Sequence, residues 1–153
     1  MKIPLPNNRA TAAILALLSA SAAIPADTRM QDRVISIAEA QFSHPNTKFG
    51  VALSGATLWT DPVTGRQSYL IRWAKGSTKR HYHKFDYQGV VLKGKMTHQN
   101  EAVPDSGAKI LEVGSVWFQT AGKPHVDSCL SDECLSISTT FGTGETVFVP
   151  DAK

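Results

Sequence analysis

The sequence contains little cysteine, and this scarcity limits the kinds of site that it can build. Only two of its 153 residues are cysteine, Cys129 and Cys134, and four residues separate them. That spacing excludes a CxxC redox motif, and two cysteines alone cannot form a structural zinc site. The chain also lacks a phosphate-binding glycine loop and a nucleophile motif. Catalysis without a metal is therefore not expected.

The chain also has little excess charge and no long apolar run beyond its N-terminal part. The formal net charge is +3, and without Lys2 and Arg9 it falls to +1 for residues 27–153. So small a charge predicts no nucleic-acid partner. A membrane-spanning helix takes about 20 apolar residues, and no segment after residue 26 approaches this length. We therefore expect no stable membrane insertion of residues 27–153.

Residues 1–26 have the pattern of a secretory signal peptide. The segment starts with basic residues, continues with a short apolar run and reaches small residues at Ala23 and Ala26, either of which suits cleavage. An uncleaved anchor helix is the alternative interpretation. We expect a mature domain over 27–153 that is periplasmic or secreted.

An exported destination favours a disulfide between Cys129 and Cys134, because disulfides persist in oxidising compartments. Apolar stretches flank CLSDEC on both sides. We expect one strand at 125–130 and the next at 133–141, so that the two cysteines face each other across a hairpin mouth. Two reduced thiols are the alternative.

The rest of the chain reads as short strands separated by turn residues. Residues 61–65, DPVTG, form a turn signal. In the following segment Tyr69, Ile71 and Trp73 alternate with Leu70 and Arg72, as in a strand with two different faces. No sustained helical period appears after residue 45. The pattern predicts one all-β domain, built as a sandwich or barrel.

Three histidines are the candidate metal ligands. His81 and His83 stand two residues apart, which places both imidazoles on one face of a strand. His125 follows a second pair of predicted strands. Three imidazoles that converge in a barrel make a strong site for a divalent transition metal. Because only the neutral ring binds metal, the site should weaken as the pH falls towards the ordinary histidine pKa of about 6.5.

These histidines lie in two stretches that resemble the motifs of the cupin superfamily. The first motif is matched by Gly76, His81, His83 and Gly94, and the second by Gly114, Gly122 and His125. Thr120 and Cys129 replace the proline and asparagine of the second motif. The resemblance covers roughly residues 50–150. It implies a jelly-roll β-barrel of six to eight strands that is often dimeric, but no single activity.

A narrower resemblance is carried by HYHKFDYQGVVLKG and AGKPH, residues 81–94 and 121–125. These stretches are similar to a small bacterial cupin family known only as a domain of unknown function. In cupins a glutamate of the first motif completes the ligand set, and this sequence has none there. Gln88 is the preferred replacement, with Asp86 as its rival. Tyr87, which stands in register with Gly94, is expected to pack or to contact the substrate.

Other residues have simpler interpretations. His44 and His98 lie outside any motif and are expected at the surface. The pair Lys79-Arg80 either attracts an anionic substrate or forms a solvated strand end, and we favour the second. Five aromatic residues are expected in the core or lining a pocket: Trp59, Trp73, Trp117, Phe118 and Phe141.

The sequence thus predicts an exported cupin that binds one divalent metal, Zn, Fe, Mn or Ni, through His81, His83, Gln88 and His125. Its partner would be a small, conceivably anionic, organic substrate, and a homodimer is compatible with the resemblance. Dioxygenase, isomerase and lyase activities all suit such a site. A non-catalytic cupin that binds or senses a small ligand is the alternative, and the sequence does not separate the two.

Overall fold

The computed structural model describes residues 32–100 and 107–150, and these residues are almost entirely β-structure. The strands are β1 (Leu53–Thr60), β2 (Gln67–Ser77), β3 (His81–His83), β4 (Tyr87–Lys93), β5 (Met96–Asn100), β6 (Ile110–Leu111), β7 (Val116–Gln119), β8 (His125–Thr140) and β9 (Thr146–Phe148). A 3-10 turn at Ile37–Glu39 precedes them. The predicted all-β fold is confirmed, and the predicted signal peptide lies outside the described residues.

Strand β8 organises the sheet. It pairs antiparallel with β2 along one edge and with β4 and β5 along the other, so that the nine strands form one curled sheet. At its beginning β8 also pairs with β3, and β3 in turn pairs with β9. Within the described ranges, no helix is long and apolar enough to cross a membrane.

The turn predicted at residues 61–65 joins β1 to β2. The carboxylate of Asp61 accepts hydrogen bonds from the Val63 amide at 2.9 Å and the Thr64 hydroxyl at 2.5 Å. The Gly65 amide donates to the Asp61 carbonyl at 2.9 Å. This closed turn sets the register of the β1–β2 hairpin, in which Thr60 lies opposite Gln67.

The cysteine segment differs from the expected hairpin. Residues 125–140 form one strand, because both halves pair with β2 in the same direction: Gly76 of β2 lies opposite Cys129, and Ala74 lies opposite Glu133. Three residues of β8, 130–132, therefore face a single residue of β2 and form a bulge. Cys129 and Cys134 are disulfide-bonded across the base of this bulge, with their Cα atoms 5.8 Å apart. The predicted disulfide is confirmed, and the prediction that it closes a hairpin between two strands was wrong.

Gly94 shows why the bulge fits. Its φ is +79°, and a Cβ there would stand 2.8 Å from the Glu133 carbonyl oxygen and 2.9 Å from the Cys134 sulfur. A side chain at this position would have to adopt a left-handed backbone and push the bulge away. The connection between β4 and β5 at Gly94 therefore packs directly against the disulfide.

The core lies inside the curl of the sheet. Its largest cluster includes Trp73, Tyr87, Trp117, Met96 and the disulfide. The indole N–H of Trp73 donates to the Ser136 hydroxyl at 3.1 Å, which satisfies the buried donor. A second apolar cluster of Ala56, Leu70 and Leu135 lies on the other face of the sheet.

The aromatic predictions divide into two groups. Trp73 and Trp117 are buried, as expected. Phe118 and Phe141 are not core residues, because their side chains stand on the outer surface with 56% and 43% exposure. Phe118 alternates with buried Trp117 along β7, so the strand's period of two sends it outward.

Candidate metal centre

The structure brings the three predicted histidines together. His81 of β3 lies directly opposite His125 of β8 in the sheet, and His83 follows on the same face of β3. The His81 and His125 ring centroids are 4.4 Å apart, and His83 lies 5.2 Å from His81 and 5.3 Å from His125. Each residue offers one ligand atom, and these atoms lie within 4.8 Å of one another.

Backbone carbonyls fix how two of the rings are oriented. The Nδ1 atom of His81 lies 2.8 Å from the Lys79 carbonyl oxygen, and Nδ1 of His125 lies 3.1 Å from the Lys123 carbonyl oxygen. A carbonyl only accepts, so each Nδ1 carries a proton, and in the neutral ring the lone pair that can bind a metal is on Nε2. Histidine ligands in metal sites are commonly oriented by this kind of hydrogen bond.

Burial keeps two of the histidines in the form that binds metal. Burial, together with the nearby His81 and His125 rings, lowers the pKa of His83 to about 4. Burial likewise lowers the pKa of His125 to about 4, against the opposing attraction of Asp127. Both rings are therefore neutral at pH 7, which is the protonation state of a ligand.

Gln88, the predicted fourth ligand, is not brought to the histidines. It is exposed on the outer face of β4, whereas its neighbours Tyr87 and Gly89 face inward. Adjacent residues of a strand face opposite sides, so Gln88 cannot face the histidines while Tyr87 does. The prediction that Gln88 is the fourth ligand was therefore wrong. Asp86 is also engaged elsewhere, since its Oδ1 accepts a hydrogen bond from the Ala121 amide at 2.7 Å.

Tyr87 occupies the inward position that Gln88 was expected to fill. Its hydroxyl lies 3.1 Å from Nε2 of His125. Because Nδ1 of His125 is already a donor, the tyrosine O–H donates to Nε2. Burial and then the charge of Asp127 raise the pKa of Tyr87 well above 10, so the group is a neutral phenol. The expected contact with a substrate is compatible with this place beside the histidines.

Two further residues, Asp127 and His98, join the cluster. Asp127 is buried on β8, two residues after His125. Its Oδ1 lies 2.7 Å from Nδ1 of His98, and its Oδ2 lies 3.8 Å from Nε2 of His81 and 3.7 Å from Nε2 of His125. The expectation that His98 is a surface residue was wrong, since 7% of its side chain is exposed. His44 is exposed, as expected.

The hydrogen bonds of His98 show that it is an imidazolium. Its Nδ1 meets the Asp127 carboxylate, and its Nε2 lies 2.7 Å from Oε1 of Gln119. The amide nitrogen of Gln119 donates to the Thr120 and Lys123 carbonyls, so Oε1 must be the atom that faces His98. Both ring nitrogens therefore donate to oxygen acceptors, which requires two protons.

The pKa values of this pair agree with the hydrogen bonds. Burial by itself would lower the pKa of His98, but the hydrogen bond and charge of Asp127 outweigh it and raise that pKa. Burial would raise the pKa of Asp127, but His98 and the two nearer histidines lower it. Asp127 is thus a carboxylate. An imidazolium has no free lone pair, so His98 in this state is not a metal ligand.

A cavity of about 300 Å³ opens beside the cluster. His81, His83 and Asp127 contribute to its wall, which is otherwise mainly aromatic and apolar, with scattered polar groups. Its aromatic and polar members include Phe49, Tyr69, Trp73, Trp117, Gln67, Ser138 and Thr146. None of the described residues that line it is a lysine or an arginine. Lys79 is exposed, in agreement with a solvated strand end.

The chemistry of this donor set fits a bound cation. Nε2 of His81 and Nε2 of His125 lie 3.8 and 3.7 Å from Oδ2 of Asp127, separations too long for hydrogen bonds. Binding of a metal to Nε2 of His125 would replace the hydrogen bond that this atom accepts from Tyr87. Imidazole nitrogens with a carboxylate oxygen are ordinary ligands of divalent transition metals.

Comparison with known families agrees with the resemblance found in the motifs. Residues 34–137, more than half of the chain, match the family model "Domain of unknown function (DUF4437)". The chain belongs to the DUF4437 family. No curated protein matches it.

Solved structures share the fold of this DUF4437 chain. A cupin-like protein from Thermotoga maritima MSB8 has a TM-score of 0.62 and 22% identity, covering 71% of this chain and 86% of that one. An RmlC-like cupin from Ralstonia eutropha JMP134 has a TM-score of 0.61 and 16% identity, covering 80% and 74%. The DMSP lyase DddQ from Ruegeria pomeroyi DSS-3 has a TM-score of 0.60 and 16% identity, covering 76% and 64%. These structural similarities establish the cupin jelly-roll fold, and at such low sequence identity they establish no activity.

Sequence reasoning missed the acidic residue of the DUF4437 site. Asp127 stands two residues after His125, the same spacing that identified His81 and His83 as neighbours on one face. That signal was available in the sequence as HVD, residues 125–127. The cupin motif places its glutamate after the first histidine pair, so counting along that motif does not lead to the carboxylate on β8.

Proposed function

We propose that this protein is a metal-dependent cupin that binds one divalent transition metal through His81, His83 and His125. The observation that carries the proposal is the convergence of these three imidazoles beside a cavity, with two of their Nδ1 atoms held by backbone carbonyls. Zn, Fe, Mn and Ni all accept such ligands. The proposed substrate or ligand is a small organic molecule bound in the cavity.

A metal held here would act as a Lewis acid towards an oxygen of the bound molecule. The chain's own groups would orient that molecule. The Tyr87 hydroxyl stands beside the histidines as a hydrogen-bond donor. Ser138, Gln67 and Thr146 provide further polar contacts in the wall, and the aromatic residues exclude water.

The cavity favours an uncharged molecule over the anionic substrate considered from the sequence. Its described lining has no lysine or arginine, and the charge of the buried Asp127 carboxylate is balanced by the His98 imidazolium. A carboxylate ligand would therefore depend on the metal alone for attraction. A cavity of about 300 Å³ is at the small end of ligand sites, so we propose a small, largely apolar molecule with one oxygen donor.

An enzyme and a binding or sensing cupin differ in whether the bound molecule is chemically converted. One solved structure with this fold is described as a DMSP lyase, and a shared fold does not carry its activity over. Dioxygenase, isomerase and lyase chemistry are all compatible with a metal that is bound by three histidines. A binding or sensing cupin would use the same ligands and the same cavity without turnover.

We also propose that the protein works outside the cytoplasm, in the periplasm or medium. The signal-like pattern of residues 1–26 and the Cys129–Cys134 disulfide support this, because disulfides are rare in the cytosol. Intact-mass measurement of protein recovered from the periplasm would test it. A chain beginning at residue 24 or 27 is expected, and a full-length chain found only in the cytoplasm would refute export.

Calorimetric titration with Zn, Mn, Fe and Ni tests the metal proposal. The chelator-treated protein should bind one equivalent of metal. Single His81→Ala, His83→Ala and His125→Ala variants should each bind at least about 100-fold more weakly, since each loses one of three ligands. His44→Ala is the matched control, because that histidine is exposed. Equal affinity in all five proteins would contradict the proposed ligand set.

A further inference from the structure

We propose that Asp127 supplies the carboxylate ligand of this metal centre. The inference rests on the proposed three-histidine site and goes beyond it. In the cupin motif the acidic ligand follows the first histidine pair, and that inward position is held here by Tyr87. The geometry points to a replacement carried on β8, two residues after His125.

The position of Asp127 is set by the strand itself. His125 and Asp127 share the inner face of β8, because side chains two residues apart project to the same side. The backbone is held on both sides of the residue by Thr78: the Thr78 amide donates to the Asp127 carbonyl at 2.8 Å, and the Asp127 amide donates to the Thr78 hydroxyl at 3.0 Å. The carboxylate is therefore placed by a rigid element.

The two oxygens of Asp127 have different surroundings. Oδ1 accepts the hydrogen bond of the His98 imidazolium at 2.7 Å. Oδ2 faces the Nε2 atoms of His81 and His125 at 3.8 and 3.7 Å. Two donor atoms on one metal at about 2.1 Å are separated by about 3.0–3.4 Å for angles from 90° to 109°. Small side-chain movements would thus bring Oδ2 into a common coordination shell.

His98 has the role of a positioning residue in this arrangement. With both of its nitrogens donating, it engages Oδ1 in a hydrogen bond of its own. This leaves Oδ2 directed at the histidine ligands. Gln119 links the same network to the metal ligands, because its amide nitrogen donates to the Lys123 carbonyl that also accepts from Nδ1 of His125.

The charge of Asp127 has a consequence for the site. A set with a neutral fourth ligand would leave the full charge of the cation to the bound molecule. A carboxylate ligand reduces that charge by one at the metal, while its other oxygen stays paired with the His98 imidazolium.

Zinc affinity and the geometry of the zinc-loaded protein test this inference together. Competition titration should show that Asp127→Asn binds zinc more than about 100-fold more weakly than the wild type, beyond the 10–100-fold typical of an outer supporting residue. Asp132→Asn is the matched control, because Asp132 is exposed in the bulge of the same strand. A crystal structure of the zinc-loaded wild type should place Oδ2 of Asp127 about 2.0–2.2 Å from the metal.

The outcomes separate the two proposals. If the wild type binds one zinc but Oδ2 lies beyond about 3 Å and Asp127→Asn binds within threefold of it, the carboxylate inference is overturned and the three-histidine site stands. If the wild type binds no zinc, both proposals fail. The crystal structure of the wild type decides the matter even where the Asp127→Asn chain does not fold.

Discussion

At the scale of single residues, Gly89 makes room for the wall of the cavity. It lies opposite Trp117 in the sheet, and a Cβ at Gly89 would overlap the indole ring. Gly89→Ala should therefore lower the free energy of unfolding by about 1–3 kcal/mol, the usual cost of overpacking a core. Gly55→Ala in β1 is the control, since its Cβ would meet its nearest atom at 3.9 Å. Denaturant unfolding of both variants measures the difference, and equal stability would contradict this packing.

The buried histidines predict a pH dependence for the metal-free protein. The pKa of His83 and of His125 is about 4 in the folded state and about 6.5 when unfolded. Between these values the unfolded chain binds more protons, so stability should fall as the pH falls from about 6.5 to about 4, by at most about 3 kcal/mol per histidine.

His98 contributes with the opposite sign. Its folded-state pKa is raised, so its stabilisation is present below about 6.5 and is lost as the pH rises through the raised value. The melting temperature of chelator-treated protein should therefore be highest near neutrality. His125→Asn should flatten the acid side of the profile. An acid side that is already flat in the wild type would show that these rings are not neutral and buried.

The candidate site was only partly predictable at this scale. The spacing of His81 and His83 was sufficient to place both rings on one face. Counting from the motif did not decide between Tyr87 and Gln88, because adjacent residues of a strand face opposite sides and a one-residue error reverses the answer. The protonation of His98 depends on Asp127 and Gln119, which are distant from it in sequence.

At the scale of elements, the disulfide closes the bulge of β8. In the loop-closure model a ring this short contributes about 2 kcal/mol. The doubly substituted Cys129→Ser, Cys134→Ser protein should lose about that much stability. Because the same strand carries His125 and Asp127 just before the bulge, its metal affinity should fall as well. Thermal unfolding and zinc titration of both proteins measure the two effects.

The control for this prediction is Asp132→Asn, a change at an exposed position within the bulge that leaves the sulfurs intact. Unchanged zinc affinity in the doubly substituted protein would mean that the bulge does not position the ligands. Two freely alkylated thiols in the exported protein would contradict the bond itself.

Strand β8 also shows where the prediction of elements reached its limit. The short apolar segments and turn residues were sufficient to predict the turn at 61–65 and the alternation along β2. The hairpin expected at CLSDEC was wrong because a polar stretch between two strands has the same local composition whether the chain reverses or bulges. Pairing with Gly76 and Ala74, which are distant in sequence, makes the segment a bulge rather than a hairpin.

At the scale of the whole molecule, the outer side of β7 is an exposed apolar surface. Val116 and Phe118 project from this strand, and the Phe141 ring lies 6.2 Å from that of Phe118. Among the described strands β7 pairs only with β4, so no described strand covers its other edge. We propose that a second copy of the chain covers this face, as the cupin resemblance implies.

Light scattering after gel filtration tests the proposed dimer. The wild type should have twice the mass of one chain, and Phe118→Glu should shift it towards the monomer because a charge would be buried at the interface. Val34→Glu, at a fully exposed position, is the control. A monomeric wild type would contradict the proposal.

The metal content of the protein tests the central claim most directly. Protein exported in its natural form, without a histidine tag or chelator, should contain close to one divalent metal per chain by elemental analysis. Simultaneous substitution of His81, His83 and His125 by alanine should reduce this to background while the disulfide and the strand content remain. Well under one metal per chain in the wild type, even after incubation with Zn, Ni, Mn and Fe, would contradict the account.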